Sequence, residues 1–170
     1  FPRTLIAAAV VHLTQGTLQI VPPGASQSGQ TSAQPPLEEL EFPSLQEALD
    51  AYGITEPLAP KWVPEGFETE RIDIDVDPDF IRIMAVYQCE EKAVQVTVRN
   101  YNSKEELDRI SVEKENGQQD VKYIRGGVEH SLAQNRAIYT ASWTNGLNIV
   151  SIIGDVTEEE LEQMIDSIYT

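Results

Sequence analysis

The sequence predicts an α+β fold: a curved, mostly antiparallel β-sheet with a short N-terminal helix and a C-terminal helix packed on one face. Three observations carry that expectation. Runs rich in β-branched and aromatic residues succeed one another between residues 67 and 153, punctuated by Gly126-Gly127 and Asn145-Gly146. Such dipeptides reverse the chain within a tight loop, so strands adjacent in sequence pair antiparallel. Capped helical segments stand before and after these runs, and the last one carries a single apolar stripe that a sheet face can bury.

Residues 1–21 differ from everything after them. Residues 5–13 (LIAAAVVHL) are apolar except for His12, and a short alternating run, TLQIV, follows. The stretch falls short of the ~20 apolar residues that cross a bilayer as a helix. It lacks the basic region and cleavage site of a signal peptide. It is expected to pack on the domain, on a partner chain or on a membrane surface. Residues 22–41 open with PPGASQSGQTSAQPP, a Pro/Ser/Gln-rich composition without a large apolar side chain, and read as a linker. The α+β domain is expected over residues 42–170.

Within it, Ser44 and Glu47 have the spacing of a capping box, and Leu45, Ala48, Leu49 and Tyr52 share a helical face that ends at Gly53. Pro64 and Gly66 suit a tight turn into the first strand. Strands are predicted over residues 67–76, 80–88 and 93–101. Residues 103–120 read as a short helical turn from Ser103, then a strand through Ile110 and Val112 to a type I′ turn at Asn116-Gly117. A hairpin at Gly126-Gly127 and another at Asn145-Gly146, joining residues 137–144 to 147–153, complete the sheet. Thr157 and Glu160 box the final helix, Val156 and Leu161 staple it, and Leu161, Met164, Ile165 and Ile168 form its stripe.

Composition narrows the function. Twelve basic residues against 28 acidic ones leave a net charge of −16. Such a surface repels phosphate backbones and anionic headgroups, so nucleic acid is excluded as a partner. Cys89 is the single cysteine and reads as a small buried hydrophobe. With only His12 and His130 beside it, no zinc set can be assembled.

The remaining candidates fail on spacing. Asp73, Asp75, Asp77 and Asp79 suggest a calcium loop, but Pro78 and Met84 stand where an EF-hand needs Gly and Glu. They read instead as a solvated face that blocks edge pairing. His130 lies between Glu129 and Ser131, yet neighbours on a strand point to opposite faces, so no triad follows and a surface histidine is expected. His12 has no second ligand near it. Trp62, Trp143, Tyr87, Tyr123 and Tyr139 read as core or rim packing, with a ligand groove as the alternative. No catalytic residue, metal or cofactor is assigned.

Four stretches stand in a distinctive order: Trp62-Val63-Pro64-Glu65-Gly66-Phe67, then Gly126-Gly127-Val128, then Ala141-Ser142-Trp143-Thr144-Asn145-Gly146, and finally residues 153–161 (IGDVTEEEL) with Ile165-Asp166-Ser167-Ile168. In this order the chain resembles the domain of unknown function found at the extracellular C-terminus of anti-sigma-factor-like membrane proteins of Gram-positive bacteria. Residues 1–21 are similar to the juxtamembrane stretch of such proteins. The resemblance implies a non-enzymatic extracytoplasmic sensory or protein-interaction domain, membrane-anchored in the full-length protein. It supplies no catalytic residues. The second reading is a carrier-like module holding a lipid or other hydrophobic ligand between sheet and helices. A hydrolase using surface carboxylates is a third.

Overall fold

The computed structural model describes residues 41–113 and 120–170, and two further strands, β1 (Val10–Thr14) and β2 (Thr17–Val21); for these strands and residues 111–113 it describes the backbone only. The expected Asn116-Gly117 turn, most of the linker and the His12 side chain lie outside the described residues. The chain divides into two units, Phe1–Glu41 and Phe42–Thr170. In the first, β1 and β2 pair antiparallel from Val10↔Val21 to Thr14↔Thr17, where the sequence reading assigns no strands.

The second unit is α+β. Helix α1 (Leu45–Ala51) precedes β3 (Glu68–Val76), β4 (Phe80–Cys89) and β5 (Lys92–Tyr101); α2 (Lys104–Glu113) leads to β6 (Val121–Arg125), β7 (Val128–Asn135), β8 (Ile138–Asn145) and β9 (Asn148–Gly154); α3 (Glu158–Ile168) closes the chain. The strand order of the seven-stranded open sheet is β3-β4-β5-β9-β8-β7-β6, antiparallel throughout. Two meanders therefore meet at β5 and β9, with α2 in the connection between them.

Local chemistry explains the element ends. The Ser44 side chain accepts from the Glu47 amide, and past α1 the Gly53 and Ile54 amides donate to Asp50 and Leu49 carbonyls with Gly53 at φ +81°. That pair of bonds is a Schellman stop, which needs the left-handed residue. Thr157 and Glu160 form the full capping box on α3, and Val156 and Leu161 are both buried as a staple. Helix α2 corrects the expectation of a brief turn followed by a strand. Ile110 and Val112 belong to a helix because Ser103 caps Glu106, Lys104 bridges Asp108 one turn on, and Leu107 and Ile110 fall at helical spacing.

Strand alternation gives the sheet two different faces. On one, Ile83, Ala85, Val94, Val96, Val98, Leu132, Val150 and Ile152 are buried with Leu45, Ala48 and Leu49 of α1 and the whole α3 stripe. Helix α1 contacts β4, and α3 contacts β6 and β8, so the two helices roof the same side. Hydrogen bonds lock the roof. Gln46 Oε1 accepts from the Leu58 and Ala59 amides, while buried Ser167 Oγ accepts from the Lys61 and Trp62 amides at 3.0 and 3.2 Å and donates to Met164 O at 2.7 Å. One hydroxyl thus ties the Trp62-to-Phe67 segment to the last helix. Gly66, at φ +88°, then lets the chain pass beside Cys89, whose Sγ would stand 2.9 Å from any added Cβ. Cys89 is half-buried against that glycine, which corrects the expectation of full burial.

Ser167→Ala is expected to cost about 1–3 kcal/mol, because two amides lose their acceptor while little volume is removed. Urea unfolding measures it; a midpoint unchanged from the parent would show that the tie contributes nothing.

Candidate functional site

The opposite face of the sheet carries neither α1 nor α3, and its side chains mix charge, hydroxyl and aliphatic groups. Asp73 and Asp75 of β3 lie on it, the first paired with Arg71 at 3.0 Å and the second with Arg82 of β4. Lys122 of β6 pairs with Glu129 of β7 at 2.9 Å. Between these flanks, Gln95, Thr97 and Arg99 of β5 face Ile149, Ser151 and Ile153 of β9, and Ile153 is 40% exposed. Two grooves mark this face. One is lined by Arg82, Gln95, Thr97, Arg99, Ser151 and Ile153; the other, of about 470 Å³, lies towards β7; Ile149 lines both.

The larger groove has a cause in the backbone. The β7–β8 ladder runs from Asn135↔Ile138 to Ser131↔Ser142 and stops there. Beyond it, residues 128–130 pair only with β6 and residues 143–145 only with β9. Two hairpin ends diverge, leaving a fork lined by Val128 and Glu129 on one prong and Ser142, Trp143 and Thr144 on the other. On the helix side the gap is filled by rings: the His130 imidazole meets the Trp143 indole edge-on at 4.6 Å and 60°.

His130 is fully buried, which overturns the expected surface histidine. The register decides it: His130 pairs with Tyr123 on the helix-covered face, whereas Glu129 and Ser131 point to the open one. Alternation therefore separates the three, as the sequence argument requires. Its Nδ1 lies 3.0 Å from Tyr123 O and its Nε2 2.9 Å from Tyr169 Oη. A carbonyl can only accept, so Nδ1 carries the proton and the tyrosine hydroxyl donates to Nε2. Tyr123 Oη donates in turn to Asp166 Oδ1 at 2.7 Å, and Arg125 Nε to the same oxygen at 3.1 Å. This network pins the end of α3 to the β6–β7 hairpin. Burial pushes the His130 pKa down, whereas the hydrogen bond to Asp166 and then burial push the Tyr123 phenol up to about 12.

The other residues weighed from sequence do not converge. Asp77 closes the β3–β4 turn by accepting from the Asp79 amide at 3.0 Å, and Asp79 approaches Glu106, whose carboxyl burial and that neighbour hold above the usual range. Among the described residues no group of three or more His, Cys, Asp and Glu side chains could hold a metal ion. Tyr87 and Trp143 are buried; Tyr123 and Tyr139 pack against the core; Trp62 is 37% exposed. Sequence reasoning missed the fork, whose only local signal is the small and hydroxyl-bearing residues around Trp143.

Neutral His130 sets a pH dependence. A folded pKa below the unfolded ~6.5 means full stability above that value, declining as pH falls beneath it, because the unfolded chain takes up a proton that the folded one refuses. Urea midpoints between pH 5 and 7 should fall less steeply in His130→Gln than in the parent; parallel slopes would refute this. Gly126→Ala tests the same contact from the other side. Its Cβ would stand 2.3 Å from the Tyr169 ring, at φ +59°, so a loss of about 2 kcal/mol or more is expected by thermal or urea unfolding.

A comparison with curated protein sequences finds no match. Solved structures similar to this one include the crystal structure of MucB in complex with MucA(peri), at 14% identity and a TM-score of 0.41, over 64% of this chain and 34% of that one, so the chain spans about a third of that protein's length. Residues 57–168, which run from the loop after α1 to the end of α3, match the family described as Domain of unknown function (DUF4367), and the chain belongs to that family.

Proposed function

We propose that the chain is a non-enzymatic protein-interaction domain that receives a partner on the open face of its sheet. The observation that carries this reading is the asymmetry of the two faces. One is roofed by α1 and α3 over a packed aliphatic core, while the other presents Ile149, Ile153 and a row of hydroxyl, amide and guanidinium groups. A mixed surface of this kind, apolar in the middle and polar around it, is what interfaces between separately folded proteins use. The His130 imidazole has both nitrogens engaged and no solvent access.

The carrier reading receives less support, because the space between sheet and helices is occupied by core side chains and the two grooves open on the other side. We further propose that the domain works outside the cytoplasm as part of a membrane-anchored regulator. The order of its turn and cap motifs and the apolar character of residues 1–21 support this. None of the helices among the described residues is long and apolar enough to cross a membrane.

Both parts can be tested in cells on the native full-length protein. A photo-crosslinking residue at Ile153 or Ser151 should give discrete adducts that the same residue at exposed Gln163 of α3 does not; equal yields from the two faces would defeat the interaction reading. Membrane fractionation with protease added from outside should digest the domain in intact cells. Recovery from the soluble cytoplasm would defeat the location.

A further inference from the structure

We infer that the fork between β7 and β8 is a receptor for an extended polypeptide segment of the partner, bound by strand addition to the unpaired backbone edge at Thr144–Asn145 or Val128–Glu129. This rests on the interaction reading above and names the part of the open face that recognises the partner.

Three observations point to it. First, the ladder ends at Ser131↔Ser142, although β7 and β8 each continue for three more residues. Strand backbones alternate the direction of their N–H and C=O groups, so each prong presents hydrogen-bonding groups to the gap with no strand opposite. A segment entering there can run antiparallel to one prong only, since the prongs are antiparallel to each other. Second, Trp143 lines the groove, is 4% exposed, and its Nε1 is a buried donor with no acceptor. Its indole stands on the covered face against His130, so it closes the inner side of the groove. Asn148 Nδ2 and Glu106 Oε2 are also without partners, but neither residue lines a groove. Third, the walls suit a peptide. Ser131, Ser142 and Thr144 offer hydroxyls, Ile149 an aliphatic floor, and the volume of about 470 Å³ lies within the range of sites that enclose small ligands.

Charge selects the occupant. Glu129, paired with Lys122 at 2.9 Å, is the one charged residue lining the groove, so the net charge of −16 dominates the approach. A segment with lysine or arginine among alternating aliphatic residues is favoured on approach and at the rim, and an acidic one is repelled. Main-chain bonds would supply affinity, and alternate side chains specificity.

The test uses the isotope-labelled 170-residue chain and two capped decapeptides, one alternating lysine with valine and the other glutamate with valine. In the free protein, amides of residues 144–145 that face the fork should exchange with deuterium faster than those of residues 139–142, which lie in the β7–β8 ladder. On titration the lysine peptide should shift amides on both prongs, and the glutamate peptide should bind at least tenfold more weakly. Thr144→Arg, at an exposed position, should block the lysine peptide. Shifts confined to Arg99 and Ile153 would overturn the fork as the receptor and leave the open face intact as an interface. Absence of fork shifts with millimolar lysine peptide would overturn the inference, and the cellular crosslinks from Ile153 would then decide the broader reading separately. Equal binding of both peptides would overturn the choice of a basic occupant.

Discussion

The structure depends on the burial of one stripe of α3. Leu161, Met164, Ile165 and Ile168 are almost completely removed from water against the sheet. At about 1.5–3 kcal/mol for each such side chain, this is a large term beside a net stability of roughly 5–15 kcal/mol for a whole domain. Hydrophobic burial is non-directional, however, and would permit the helix to slide or rotate. The polar ties fix the register. Ser167 holds the segment before β3, and Asp166 and Tyr169 hold the β6–β7 hairpin through Tyr123, Arg125 and His130. The last helix thereby connects the start of the domain to the edge of the sheet furthest from β3, and makes one face of the sheet an interior.

Much of this was legible in the sequence because it rests on local chemistry. Thr157, Glu160, Val156 and Leu161 describe the start of α3 completely. Gly126 and Gly127 take φ +59° and +75°, the pair of left-handed residues that a type I′ hairpin turn requires. Asn145-Gly146 marked a hairpin, but the loop is one residue further on. Asn145 pairs with Asn148, so Gly146 and Leu147 make the turn, with Gly146 at φ +59° and Leu147 not left-handed. That places the glycine first in the loop, as in a type II′ turn, and not second as in type I′. Two other turns had no glycine to mark them. Glu90 and Arg136 adopt φ 55° and 58° as ordinary L residues, because the strands on either side hold them there.

What could not be read were features decided by register between distant segments. His130 stands among polar neighbours, and nothing within ten residues says that it will meet Trp143 and Tyr169. Its burial follows from its pairing with Tyr123 and from α3 returning to that corner. The fork is less local still. It exists because β7 sides with β6 at one end and with β8 at the other, while β8 stays with β9 along its whole length. Residues 103–113 show the reverse difficulty, where alternation over Ile110 and Val112 was outweighed by a cap and an i,i+4 ion pair that alternation does not register.

The His130–Trp143 contact links the folded interior to the open face. On the helix side the two rings meet beyond the end of the β7–β8 ladder, and His130 is held there by hydrogen bonds at both nitrogens. A closed ladder would bring the backbones to the ordinary spacing of paired strands, ~4.8 Å, with side chains on the covered face standing side by side. The ring pair meets edge-on across the gap, with Tyr169 packed against the imidazole at 5.6 Å. The same network that stabilises the end of α3 therefore floors the fork, and Trp143 Nε1 stays unpartnered there. A groove floored by core side chains is preorganised, so a segment that enters it has little protein ordering to offset.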